Sequence, residues 1–134
     1  MSDYRKDVAK ITDAFLGLEA HGIFTLQLFV DYGNSGCQGV GGYGLDVPVK
    51  KLDGSHSHRA GSAYGHEFII RTMRACGVDE WSKIVGRTIY VLQDLPEGSS
   101  ALGTSKVVGI ENLPTEPGER FVFADLAEQM GYDQ

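Results

Sequence analysis

The residue types best suited to chemistry stand in one run, His56-Ser57-His58-Arg59-Ala60-Gly61-Ser62, directly before an amphipathic stretch. A helix N-terminus carries unpaired N–H groups and a partial positive charge. Small residues at Gly61, Ser62 and Ala63 would let an anion reach such an end, and His58 and Arg59 would add donors and charge. Together these are the parts of a phosphate site. The same residues also describe an ordinary strand-to-helix loop with Ser62 as its N-cap, and both readings stand on the sequence. His56, His58 and His66 could gather around a metal, but no carboxylate or cysteine stands at a telling spacing, so neither a metal nor another cofactor is expected.

The second feature is the glycine-dense segment DYGNSGCQGVGGYGLD, Asp31–Asp46. Glycine loses the most backbone freedom on folding, so a cluster marks sharp bends or the close approach of a ligand, a strand or a second subunit. Gly39–Gly44 matches G-x-G-x-x-G after an apolar run, but a dinucleotide site needs a helix next. Pro48 and Gly54 disqualify LDVPVKKLDG as that helix, and the acidic residue expected about 20 positions on is missing. Ser35 and Cys37 have no base nearby in sequence, and Cys76 reads as helix core. With no H-E-x-x-H, nucleophile elbow or spaced carboxylate pair, the chain reads as a non-enzyme. Tyr43 and Phe121 are candidates to stack on a base, although aromatics at periodic positions are also core residues. Asn112 and Arg120 flank a proline-containing loop and are read as further ligand contacts.

The elements that must position these residues follow from periodicity. Residues 8–18 read as a strand and Glu19–Gly22 as a hairpin turn. In IFTLQLFVDY, residues 23–32, Phe24, Leu26, Leu28, Val30 and Tyr32 share one face, the period-2 pattern of a half-buried antiparallel strand. Val40–Leu45 reads as a short third strand, and Pro48 with the polar VKKLDGSHSHR that follows it as an exposed, mobile loop. The main helix is expected over 62–76, with Tyr64, Phe68, Ile69, Met73 and Cys76 on one face and Gly77 as its stop. Arg71 and Arg74 project from another face. Val78–Val85 reads as a short helical turn, 87–93 and 105–111 as a strand pair, and 125–130 as a C-terminal helix. Strands, helix, strands and helix in that order imply an α+β domain with a mainly antiparallel sheet.

Length and charge narrow the classes. At 134 residues the chain is expected to be one domain, able to bury about two-thirds of its unfolded surface. No apolar run reaches the roughly 18 residues of a membrane span, and the polar start MSDYRKDVAK is not a signal peptide. Two cysteines are too few for a disulfide framework, which points to the cytoplasm. Residues 1–92 carry ten acids and ten Lys/Arg, whereas 93–134 carry eight acids and two bases and so hold the whole charge of −6. That balance argues against direct nucleic-acid binding, which needs a basic face.

The strings HGIFTLQLFVDYGNSGCQGVGGYGLD and GSAYGHEFIIRTMRACGVDEWSKIVGRTIYV resemble a family of small bacteriophage-encoded proteins, over about residues 15–92. Its pattern runs H-G-I-x-T, then D-Y-G-x-S-G-x-Q-G-x-G-G-Y-x-L-D, a glycine-rich helix start, G-V-x-x-W and G-x-x-I-x-V. The chain is similar in this respect to phage anti-Thoeris sponges, small α+β oligomers that sequester cyclic ADP-ribose signals made by immune TIR enzymes. The resemblance implies a homo-oligomer, dimer or higher, in the host cytoplasm, that holds a cyclic ADP-ribose isomer or a cyclic oligonucleotide unchanged. No binding residue of that family transfers to a position here, and Cys37 departs from its pattern. The contacts expected on physical grounds are His58, Arg59, Gly61, Ser62, Ala63, Tyr43, Asn112, Arg120 and Phe121. The competing reading is an anti-CRISPR-like inhibitor that grips a host defence enzyme through its acidic last third.

Overall fold

The computed structural model describes residues 4–33, 36–96, 106–113 and 119–131. They form an α+β fold with strands β1 (Tyr4–Leu18), β2 (Phe24–Asp31), β3 (Cys37–Tyr43), β4 (Asp46–Lys50), β5 (His56–Gly61), β6 (Thr88–Pro96), β7 (Val107–Asn112) and β8 (Arg120–Val122). Helix α1 (Ala63–Cys76) lies between β5 and β6, a 3-10 turn spans Trp81–Lys83, and α2 (Phe123–Gln129) closes the order. Six strands make one sheet in the order β3-β2-β1-β6-β7-β8, every pair antiparallel.

The alternation read in residues 23–32 holds. Leu26, Leu28 and Val30 are buried, while Phe29 between them is 40% exposed on the opposite face. Register carries the same face across the sheet: Leu28 pairs with Ala14 and Val40, and Ile110 with Val91 and Phe121. Helix α1 covers that face with Phe68, Thr72, Ala75 and Cys76, and α2 adds Leu126 and Ala127. The helix begins at Ser62, whose Oγ accepts the Gly65 N–H at 3.0 Å. It ends at Gly77, left-handed at φ 74°, whose N–H and that of Val78 cap the carbonyls of Arg74 and Met73.

Two expectations need correction. The stretch read as a mobile loop is a β-hairpin arm: β4 pairs with β5, Val47 opposite Ala60 and Val49 opposite His58. Gly54 at φ 89° makes the turn, with the Lys51 N–H bonded to the Ser55 carbonyl. Pro48 sits on an edge strand of the two-stranded arm, the place in a sheet where proline is accommodated. The third strand starts at Cys37 rather than Val40, and Gly44 at φ 74° turns the chain out of it. β8, three residues long, carried no sequence signal.

The glycines now separate by cause. A Cβ on Gly42 would stand 2.7–2.9 Å from the ring of Phe68, so this glycine makes room for the helix. On Gly41 it would strike the Leu26 carbonyl oxygen, and on Gly65 the Leu45 carbonyl oxygen, so both permit close backbone approach. Much of the glycine density therefore serves packing within the chain.

Candidate functional site

The residues expected to form a phosphate site are held by the fold itself. Arg59 Nε donates to Asp46 Oδ1 at 3.0 Å, and Arg59 Nη2 donates to the Asp46 carbonyl at 3.0 Å. The Arg59 guanidinium, with the Phe24 N–H, holds the Asp46 carboxyl below the usual carboxylate range, while burial opposes that shift. Ser62 caps α1 and donates its hydroxyl to the Leu45 carbonyl at 2.7 Å. Gly61 and Ala63 beside it are exposed, and His58 projects from the arm. Together these contacts lash the base of the arm to the start of α1 and to β2.

The folded Asp46 pKa is depressed, so its stabilising contribution is present above the ordinary carboxylate range and is lost as pH falls through the folded value. Asp46→Asn should cost about 1–2 kcal/mol at neutral pH, the scale of a charge-assisted hydrogen bond to a partly exposed partner. Urea titrations of both proteins at stepped pH should show the gap closing below about pH 4, near the ordinary aspartate value. A gap independent of pH would mean that the ion pair does not carry the contribution.

The other expected contacts do not join this cluster. Phe121 is 2% exposed, with its ring 4.9 Å from Phe68 and 5.0 Å from Phe123 between centroids. It is a core residue and has no free face for a base. Arg120 Nε donates to Glu111 Oε1 at 2.7 Å, and Lys6 Nζ donates to the other oxygen of Glu111 at 3.3 Å. The backbone of Tyr43 ends β3, and its side chain, like that of His56, lies outside the described residues. Among the described residues no three metal-ligating side chains gather. His21 stacks its hydrogen bonds on Glu19 in the β1–β2 turn. Burial pushes the Cys76 thiol up to about 12, so it is a poor nucleophile, whereas Cys37 is exposed.

One expected contact, Asn112, lies in an open cleft of about 600 Å³ at the C-terminal end of α1. Arg74, Gly77, Lys83, Arg87, Asn112 and Glu119 are among its lining residues. Helix α1 brings Arg74 in its last turn, the 3-10 turn brings Lys83, and Gly86, at φ 97°, turns the chain so that Arg87 folds back over the helix end. Arg87 Nε donates to the Cys76 carbonyl at 3.0 Å. A Cβ on Gly77 would lie 2.9 Å from both Arg87 Nη2 and Asn112 Oδ1, so these side chains converge beside the bare glycine. The Asn112 N–H reaches the Glu119 carbonyl at 2.8 Å and fixes the far wall. Lys83 is bound to Asp79 at 3.0 Å and to Glu80 at 3.4 Å. Among the described residues, neither Arg74 nor Arg87 pairs with a carboxylate.

The cleft has the size of small-molecule sites, and its lining favours an anion. Two guanidiniums present planar donor forks suited to phosphate oxygens, and either can stack on a ring. Asn112 adds an amide able to donate and accept. The helix C-terminus is the negative end of the dipole, which draws the arginines there and works against an anion. Asp79 and Glu119 also line the cleft. Lys83 answers Asp79 at 3.0 Å, which leaves two guanidiniums against one carboxylate and the half charge of the helix end, a small positive balance. Arg87 together with the Gly77 cap already answers the terminal carbonyls.

The cleft and the Arg59–Ser62 cluster sit at opposite ends of the 14-residue helix, about 20 Å apart at 1.5 Å per residue. One small ligand cannot bridge them within one chain. Arg74 and Arg87 were missed as a pair because they come from separate elements 13 positions apart; the only local hints were a basic last turn and an arginine after Gly86. No protein-family model matches the chain, and neither a curated protein nor a solved structure matches it significantly.

Proposed function

We propose that the protein binds an anionic, nucleotide-derived small molecule in the cleft at the end of α1 and holds it unchanged. The setting implied by the resemblance is a phage protein that withdraws a cyclic ADP-ribose isomer or a cyclic oligonucleotide from a host defence signal. The observation that carries this reading is the convergence of Arg74 and Arg87, without carboxylate partners among the described residues, on one open cleft with Asn112. Guanidiniums of this kind give a cyclic phosphodiester or pyrophosphate several charge-assisted hydrogen bonds, each stronger than a neutral one. No helix among the described residues is long and apolar enough to cross a membrane.

The test is to incubate the purified protein with a mixture of cyclic nucleotides and cyclic ADP-ribose isomers, remove the unbound, release by heat and identify what emerges by mass spectrometry. An intact, enriched cyclic nucleotide is expected. A chemically altered product would replace binding with catalysis. Nothing retained would overturn the reading and favour a protein partner held by the acidic last third.

A further inference from the structure

The two edges of the six-stranded sheet are built differently. β8 is three residues long and opens with the charged Arg120, which is how proteins blunt an edge. β3 is seven residues long, CQGVGGY, with no charge and no proline. Its register with β2 runs from Asp31–Cys37 to Thr25–Tyr43 without a bulge, so the strand does not twist away from a neighbour. Among the described residues no strand or loop bonds its outer side. Gln38, Val40 and Gly42 face the helix layer, while Cys37, Gly39 and Gly41 are exposed on the other face and add little bulk beside the edge. The outward N–H and C=O groups of alternate residues along this seven-residue strand are thus offered with none of the usual protections.

We infer that two copies of this chain associate through β3, strand against strand and antiparallel about a two-fold axis, to give one continuous twelve-stranded sheet. A second copy is the fitting occupant because a strand paired with its own symmetry mate sets like beside like. A charged edge would repel itself, whereas this one carries no charge to oppose. The two-fold satisfies both edges at once and closes the assembly at a dimer, since β8 at each outer end is blunted. The inference is independent of the cleft, which lies on other elements.

Light scattering on the full chain at high concentration should give twice the 14.5 kDa chain mass. Amide exchange on the unmodified protein should show alternate amides in Cys37–Tyr43 protected at high concentration and released on dilution. Gly39→Lys and Cys37→Lys each place a charge on the edge. A Cβ at Gly39 meets only the flexible Gln27 side chain, and Cys37 is exposed, so both variants should fold. Both should run at the single-chain mass with unchanged helical circular dichroism. A single-chain mass for the unmodified protein at every concentration overturns the inference, as does a dimer that persists in both lysine variants.

Discussion

Replacing Phe68 by alanine is expected to lower the unfolding free energy by about 3–5 kcal/mol. Phe68 is 1% exposed, and its ring lies 4.9 Å from Phe121, 5.2 Å from Phe123 and 5.9 Å from Tyr64 between centroids. It is the point at which α1, β8, α2 and the glycine strand β3 meet. The informative measurement is a double-mutant cycle with Gly42. Alone, Gly42→Ala pushes a methyl into a ring that Phe121 and Phe123 prevent from moving, at about 1–3 kcal/mol. With Phe68 already alanine the methyl has space, and a glycine in a strand interior gains about 0.5–1 kcal/mol on becoming alanine. The double variant should therefore be less destabilised than the sum of the two by about 1.5–4 kcal/mol, at or above the upper end of the coupling seen between residues in contact. Denaturant titration of the four proteins measures it. Strict additivity would show that Gly42 is kept bare for something other than Phe68.

That result bears on what the sequence could tell. The α+β class, β2 and α1 were legible because each carries its own period over at least eight residues and α1 its own stop at Gly77. The glycine segment was legible as a place of close approach but not as to what approaches, because Leu26 and Phe68 reach it from elsewhere in the chain. The arm was hidden by Pro48 and by its charges, since a two-stranded arm needs no apolar face. Phe121 beside a proline loop read as available, yet β8, too short for a period to show, turns it inward. The helix-start cluster was recognised by composition, and the fold gives its parts partners: Arg59 to Asp46, and Ser62 to Gly65 and Leu45. Asn112 was singled out as a loop flank and lines the cleft for a different reason, the return of β7 past the end of α1.

Arg74→Glu should weaken retention of the anionic ligand at least 10- to 100-fold. A hydrogen bond to a charged group contributes about 1.5–3 kcal/mol, each 1.4 kcal/mol is about tenfold in affinity, and reversal adds repulsion. Arg74 is exposed, and losing a cation from the last turn costs only about 0.3–1 kcal/mol through the dipole, so the fold survives. Arg71→Glu is the matched control. It makes the same change in net charge one turn earlier on α1, where Arg71 is bound to Glu67 at 2.9 Å and Gln129 at 3.0 Å and does not line the cleft. Titration calorimetry on both variants with the ligand identified by mass spectrometry should separate them: Arg74→Glu weak, Arg71→Glu near the unmodified value. Equal weakening would mean that overall charge acts rather than the cleft. Unchanged binding in Arg74→Glu, with loss in Arg59→Ala, would move the site to the other end of the helix. In that event the Arg59–Asp46 pair would have to open to admit the anion, and affinity would rise as acid neutralised Asp46, a pH dependence that the cleft at Arg74 does not produce.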